Sequence, residues 1–110
     1  MNLVRILALV LAVLGAGAAC ADTLKDATEA LHRKDYATAV RLLEPLARQG
    51  DAGAQVRLGL LYYHGHGVRE DNRTAADWFR RAAGAGLAEA QFQLANMHAY
   101  GLVPAPEGED

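Results

Sequence analysis

Apolar residues recur every three or four positions along most of the chain. Leu24, Ala27 and Leu31 begin this pattern, which is that of one buried face of a helix. The same spacing predicts four further helices, over about residues 36–49, 52–63, 73–83 and 88–100. The alternating pattern of a β-strand does not occur. We therefore predict an all-α fold, and because the connections are short, successive helices should form antiparallel pairs.

The helical pattern repeats with a period of 36 residues. Identical residues recur at this spacing, and the pairs include Gly50 and Gly86, Ala52 and Ala88, Ala54 and Ala90, Gln55 and Gln91, Leu58 and Leu94, and Gly65 and Gly101. A fixed period of this length is typical of stacked units, each of which buries its apolar face against its neighbours. It predicts a short α/α solenoid over residues 22–101. Residues 102–110, rich in proline and acidic side chains, are predicted to form a disordered acidic tail.

Residues 1–21 have the composition of a secretory signal peptide. Arg5 is the only charge in this segment, a leucine-rich run follows, and Ala19-Cys20-Ala21 precedes Asp22 as a cleavage site requires. We predict cleavage between Ala21 and Asp22. Two alternatives stay open. The segment could remain as an uncleaved anchor, although it is short for a membrane span, or Cys20 could carry a lipid, although the motif around it is only partial.

The stretch from residue 52 to residue 86 resembles the Sel1-like repeat, a helical-pair repeat related to tetratricopeptide repeats. The matching positions are small residues, turn glycines and large apolar residues, and they include Leu58, Gly59, Tyr62, Gly65, Gly67, Asp71, Ala75, Trp78, Ala82, Ala83 and Gly86. The flanking segments look like the second helix of a preceding unit and the first helix of a following one. The resemblance implies a tetratricopeptide-like solenoid in which a single repeat is complete.

The matched residues imply structural roles. Gly59 should let a neighbouring helix approach where a Cβ would clash, and Gly65 and Gly67 should adopt positive φ angles in the inter-helix loop. Asp71 should cap the fourth helix. Trp78, the largest side chain, is expected to be the main filler between the paired helices, so truncating it to Ala should cost about 3–5 kcal/mol.

The third unit departs from the repeat pattern. His98 stands 36 residues after Tyr62, and Ala95 stands 36 residues after Gly59. The third unit is predicted to have a first helix but no second one. The departure leaves two interpretations open, a degenerate C-terminal cap or a longer repeat protein that has been cut short.

The charge balance narrows the class of partner. Removing residues 1–21 takes away one of the 11 basic residues and none of the 13 acidic ones, which leaves a net charge of −3. Nucleic acids and anionic membranes are bound by clustered basic surfaces. We therefore predict no nucleic-acid partner, and no membrane association unless Cys20 is lipidated.

Candidate chemistry is sparse. His64 and His66, with His98 nearby, could in principle bind zinc or copper. Their equivalents in the third unit are Tyr100 and Leu102, so no ligand set recurs, and neither a metal nor another cofactor is predicted. The chain contains no serine and its one cysteine lies at the signal boundary, so no enzymatic nucleophile is predicted.

These features favour an exported, periplasmic or secreted, non-catalytic module for protein–protein interaction. We expect a protein or peptide partner on the concave side of the stacked first helices, where exposed residues should include Arg57, Tyr63, Gln93 and Asn96. One alternative is a relative of the cysteine-rich secreted branch of the family, linked to β-lactam binding and hydrolysis, although this chain lacks the cysteines of that branch. Others are a truncated repeat protein, or self-association through the uncapped fifth helix.

We expect the exported chain to begin at Asp22. Intact-mass measurement of the protein recovered from the exporting cell should give the mass of residues 22–110. Ala21→Phe, which places a bulky residue at the cleavage site, should leave the leader attached, whereas Cys20→Ser should leave the start at Asp22 unchanged. A product that begins at an acylated Cys20 would contradict this prediction in favour of the lipoprotein.

Overall fold

In the computed structural model, which describes residues 21–104, the chain forms five helices. Helix α1 covers residues 21–32 of the described part, and the others are α2 (Tyr36–Arg48), α3 (Ala52–His64), α4 (Asn72–Gly84) and α5 (Ala88–Ala99). They pack in order, α2 on α3, α3 on α4 and α4 on α5, as successive antiparallel pairs. The predicted all-α fold is confirmed. None of the helices in residues 21–104 has the length and hydropathy needed to cross a membrane.

Three aspartates determine where α2, α3 and α4 begin. Asp35, Asp51 and Asp71 each accept a hydrogen bond from a backbone N–H in the first turn of the following helix. These bonds satisfy amides that have no partner within the helix itself. The prediction that Asp71 caps the fourth helix is confirmed, and because Asp71 is the cap, α4 begins at Asn72, one residue before the predicted start. Asp35 lies 36 residues before Asp71, so the cap recurs with the repeat.

A side-chain amide links each unit to the helix before it. The Nε2 of Gln55 in α3 donates to the carbonyl of Ala47 at the end of α2, at 3.0 Å. One period later, the Nε2 of Gln91 donates to the carbonyl of Ala83 at 3.4 Å. Each carbonyl lies in the last turn of its helix, α2 for Ala47 and α4 for Ala83, where backbone C=O groups have no N–H partner within the helix. Gly86, with φ of 93°, closes the turn between α4 and α5 by donating its own N–H to Ala83.

The buried side chains form two clusters that meet in α3. The first lies between α1, α2 and α3 and contains Ala27, Ala30, Ala39, Leu43, Leu46, Ala47, Ala54, Leu58 and Leu61. The second lies between α3, α4 and α5 and contains Val56, Ala75, Ala76, Phe79, Ala82, Ala90, Met97 and Val103. Helix α3 contributes Leu58 to one cluster and Val56 to the other, so it is buried on opposite sides and joins the two halves of the core.

Helix α4 approaches α3 most closely at Gly59. A Cβ added to this glycine would lie 2.7 Å from Cε1 of Phe79, closer than carbon atoms can come without displacement. Phe79 is fully buried and is the largest fully buried side chain of the described residues. The predicted role of Gly59 is therefore confirmed, and the side chain that uses the space is Phe79.

The expectation that Trp78 is the main filler between the paired helices is wrong. Trp78 is half-buried and packs against the edge of the first cluster, and the Arg81 guanidinium lies 4.7 Å from its ring centroid. Adjacent residues of a helix point about 100° apart. The face of α4 carrying Ala75, Phe79 and Ala82 points directly at α3, which leaves Trp78 at its margin.

Val103 packs in the second cluster and is only 5% exposed, although the sequence placed it in the tail after residue 101. Its burial follows from the turn at the end of α5, where Leu102 donates its N–H to the carbonyl of Met97 at 2.9 Å. This turn carries the chain back onto the core. The rest of the predicted tail, residues 105–110, and most of the predicted signal peptide, residues 1–20, lie outside the described residues.

We expect Gly59→Ala to destabilise the protein by about 1–3 kcal/mol, because the new methyl group overpacks the contact with Phe79. Urea denaturation followed by circular dichroism measures this loss. Gly84→Ala is the matched control, since a Cβ there meets nothing within 4 Å. In a Phe79→Leu background the cost of Gly59→Ala should shrink. Equal costs in both backgrounds would show that the two residues are not coupled.

Candidate functional site

A groove of about 340 Å³ lies between α3 and the beginning of α5. Its lining comprises Gly53, Val56, Arg57, Leu60, Leu87 and Glu89. Val56 is buried, and Leu60 and Leu87 are half-buried against the second cluster, so these three form an apolar floor. Arg57 and Glu89 add one charge of each sign. The groove thus combines an apolar base with charged groups, the composition expected of a site that binds a peptide or protein side chain.

Helical spacing on α3 produces one wall of this groove. Gly53, Val56, Arg57 and Leu60 lie three, four and seven positions apart and therefore share one face. A Cβ added to Gly53 would lie 2.9 Å from Nη1 of Arg57. The missing side chain at Gly53 consequently leaves room for the guanidinium to lie against the first turn of α3.

The two charged groups of the groove are available to a ligand. Within residues 21–104, the side chains of Arg57 and Glu89 form no hydrogen bond or ion pair. The surface ion pairs of this part of the chain, Arg48 with Glu44 and Arg80 with Asp77, lie on α2 and α4. Arg57 is half-buried, so solvent screens its side chain less than it screens a fully exposed arginine.

The structure separates the four residues predicted to line a partner surface. Arg57 lines the groove, whereas Tyr63, Gln93 and Asn96 do not. Each of the four is half-buried rather than fully exposed. Tyr63 packs against the second cluster and meets the His64 ring edge-on at 5.0 Å. Gln93 and Asn96 stand one period after Arg57 and Leu60, and within the described residues no helix follows α5 to form a second wall beside them.

Sequence reasoning missed most of the groove lining. Leu60 could have been found from Arg57, because three residues on a helix return to the same face. Leu87 and Glu89 carried no such signal. They reach the groove because the turn at Gly86 directs the start of α5 towards α3, which is a consequence of packing rather than of a motif.

His64, at the end of α3, and His66, in the α3–α4 loop, pack as a short aromatic stack with Tyr36. The His66 ring stacks on Tyr36 with a centroid distance of 4.4 Å, and the His64 ring lies 5.4 Å from His66. His98 has both ring nitrogens buried without a hydrogen-bond partner. In residues 21–104 no group of three or more His, Cys, Asp or Glu side chains has the arrangement needed to hold a metal ion. The stack instead fastens the loop to the beginning of α2.

The glycines of this loop adopt the positive φ angles that the sequence predicts, 69° for Gly65 and 75° for Gly67. Gly65 is the C-cap of α3. A Cβ on Gly67 would lie 2.6 Å from the carbonyl carbon and oxygen of Tyr36, so only glycine fits where the loop crosses α2. The loop is therefore a tight structural connection that sets the position of α4.

Asp71 ends the loop and fixes α4 through several hydrogen bonds. Its carboxylate accepts from the backbone N–H groups of Arg73 (3.0 Å) and Thr74 (3.1 Å), and from the Thr74 hydroxyl at 2.8 Å. Its own N–H donates to the carbonyl of Tyr62 at 2.9 Å, back in α3. The bonds from Thr74 lower the pKa of the Asp71 carboxyl below its ordinary value of 3.8, because they favour the ionised form.

Comparison with known families gives a match over most of this helical array. The sequence profile of the Sel1 repeat matches residues 30–51, 52–87 and 88–107. The segments begin and end near the glycine turns at residues 50 and 86, so the family's units coincide with the structural ones. The N-terminal unit is matched in part, and residues 52–87 hold the complete helical pair.

Each curated relative described below matches this chain over a stretch of 62 to 70 residues. Protein sel-1 homolog 2 of Homo sapiens is 42% identical over 70 residues, which is 63% of this chain and 10% of the relative. The ERAD-associated E3 ubiquitin-protein ligase component HRD3A of Arabidopsis thaliana is 37% identical over 62 residues, 56% of this chain and 9% of the relative. The chain thus spans about a tenth of the curated relatives it matches.

A solved structure shows the same architecture. The crystal structure of c5321, a protective antigen present in uropathogenic Escherichia coli strains and displaying an SLR fold, superposes with a TM-score of 0.70. The two are 31% identical, and the match covers 76% of this chain and 18% of that one. The solved structure therefore shares the solenoid arrangement of these helices.

We expect the contribution of Asp71 to stability to depend on pH. Because the folded-state pKa is lowered, the contribution is present above the unfolded-state pKa, near 3.8, and is lost as the pH falls through the folded-state value. Asp71→Asn keeps a capping acceptor without the titration. Thermal melts should show an advantage of the unmodified chain over this variant at pH 6 that diminishes as the pH falls below 3.8. A pH-independent difference would contradict the role of the charge.

Proposed function

The chain belongs to the Sel1 repeat family, and we propose that it is an exported, non-catalytic module that binds a protein or peptide in the groove between α3 and α5. Repeats of this kind generally serve protein interaction. The observation that carries the proposal is the half-buried, unpaired Arg57 beside an apolar floor, with Glu89 as a second charged group. Arginine at the edge of an apolar pocket is a recurrent centre of binding energy in protein interfaces.

The groove chemistry indicates the kind of segment that binds. An apolar side chain of the partner would cover Val56, Leu60 and Leu87, which supplies most of the affinity. A carboxylate or backbone carbonyl beside it would accept from Arg57, and a donor would reach Glu89. The two opposite charges orient the segment, because reversing it would bring like charges together.

One named relative supports a role in assemblies. HRD3A is by its name a component of an E3 ubiquitin-protein ligase, and a stretch of it is 37% identical to this chain over 62 residues. Since this chain corresponds to about a tenth of that protein, only the use of the repeat as a binding unit is carried over. The predicted leader at residues 1–21 supports export, with the partner then in the periplasm or outside the cell.

Site-specific photocrosslinking in the producing cells tests the proposal. A crosslinking amino acid in place of Arg57 should give a defined protein adduct, which mass spectrometry identifies, whereas the same group at Arg41, exposed on α2, should not. With the identified partner, Arg57→Glu should weaken binding at least about tenfold, and Arg41→Glu should leave it unchanged. Identical adducts from both positions, or none from Arg57, would contradict the groove as the binding site.

A further inference from the structure

A second pocket, of about 200 Å³, lies on the outer side of α4. It is lined by Arg73, Asp77 and Arg80 of α4 and by Val103 and Pro104, which follow α5. We call it the α4 pocket. It shares no lining residue with the groove between α3 and α5, and the proposed binding function makes no use of it.

Arginine side chains with open donors dominate the charge of the α4 pocket. Within residues 21–104, the side chain of Arg73 forms no hydrogen bond or ion pair. Arg80 donates through Nη1 to Asp77 at 2.7 Å, and this is its one side-chain hydrogen bond in the described part of the chain. A guanidinium has five N–H groups, so Arg80 keeps donors for a second acceptor. Both arginines are exposed and therefore accessible.

The chain itself brings acidic residues to this pocket. Val103 is buried in the second cluster and so holds Pro104 at the edge of the α4 pocket. Glu107, Glu109 and Asp110 follow, with no basic residue among them. Residues 21–104 contain ten basic and ten acidic residues, so the excess of negative charge lies in residues 105–110. The most acidic segment of the chain thus begins beside two available arginines.

The loop after α3 indicates the course of the segment after α5. A Cβ on Gly67 would lie 2.9 Å from the backbone N of Ala37, so the loop after α3 lies on the beginning of α2. One period later, the equivalents of these two residues are Val103 and Arg73, which line the same pocket. The segment after α5 therefore lies on the beginning of α4 in the same way, and the match to the Sel1 repeat extends along it to residue 107.

The spacing of the acidic residues matches that of the arginines. Arg73 and Arg80 are seven residues apart on α4, which is about 10.5 Å along the helix axis and nearly two full turns. Glu107 and Asp110 are three residues apart, so an extended segment separates them by about 10 Å. The prolines before Glu107 favour such an extended backbone. Two carboxylates can thus meet two guanidiniums at once.

We propose that residues 107–110 dock in the α4 pocket of their own chain, with Glu107 paired to Arg73 and Asp110 paired to Arg80. This differs from the disordered tail that composition alone predicts. One exposed ion pair contributes little. However, the segment is tethered beside its site, so its effective concentration is roughly millimolar and the two pairs act together. The docked segment covers the α4 arginines, so an acidic partner reaches them only by displacing it.

Zero-length crosslinking of the protein as the cell produces it tests the pairing. A carbodiimide joins a lysine amine to a carboxylate only when the two groups are in contact. At low micromolar concentration, Arg73→Lys should become linked to Glu107 within one chain, and peptide mass spectrometry identifies the link. Arg41→Lys, exposed on α2, is the matched control and should give no link to residues 107–110. Links only between two chains, or no link from position 73 to these residues, would overturn the proposal.

A charge reversal separates docking from simple closeness along the chain. A spin label on Gly108→Cys, in a Cys20→Ala background, should broaden the amide signals of residues 73–80 at low salt. Arg73→Glu with Arg80→Glu should reduce this broadening at least about twofold, because like charges then face each other. Salt at about 1 M should do the same, since it shortens the screening length to about 3 Å.

Exchanging the charges provides the rescue. Glu107→Arg with Asp110→Arg, added to the two reversed arginines, should restore the broadening, because opposite charges face each other again. Circular dichroism should be the same in all variants, since both arginines are exposed on α4. Broadening that neither the reversal nor salt reduces, or a reversal that the exchange does not rescue, would show that residues 107–110 do not dock through these charges.

The outcome for the α3–α5 groove is independent of this one. No residue of the groove is changed in these variants, so partner capture through Arg57 should be the same in each of them. Either proposal can therefore fail while the other holds.

Discussion

The contact between Phe79 and Gly59 is the constraint on which the second half of the molecule depends. Because no Cβ separates them, the ring lies directly on the α3 backbone and draws α4 close. Helix α4 in turn holds α5, whose Ala90 and Met97 pack into the same cluster. The groove exists only while α5 keeps this position relative to α3. A loss of fit at one glycine therefore moves the wall of the binding site as well as weakening the core.

Polar groups at the helix ends make this packing specific. Asp35 and Asp71 start equivalent helices, and Gln55 and Gln91 bond to equivalent carbonyls at the ends of the preceding ones. Apolar stripes lined with alanine could slide past one another at small cost, whereas hydrogen bonds at both ends of a helix fix its register. The period of 36 residues thus reflects paired apolar faces together with a recurring set of caps.

The groove follows from the position of α5 in the array. The beginning of α5 completes the groove with α3, where Leu87 and Glu89 lie beside Arg57. The outer side of α5 presents Phe92, in the position that Val56 buries one unit earlier. A helix inside a solenoid is covered on both sides, whereas within residues 21–104 no helix follows α5 to cover its outer side.

The sequence by itself determined the helices, their order, the period, the turn glycines and the capping role of Asp71, because helical spacing and capping chemistry are local and recur in the chain. It also identified Arg57, but it grouped it with Tyr63, Gln93 and Asn96 by period alone. Only the tertiary structure decided that Phe79 rather than Trp78 fills the core, since neighbouring residues both fit the apolar pattern and the position of Gly59 selects between them. It likewise decided the groove, because Leu87 and Glu89 come beside Arg57 through the stacking of separate helices, a relation between distant residues that no local pattern encodes.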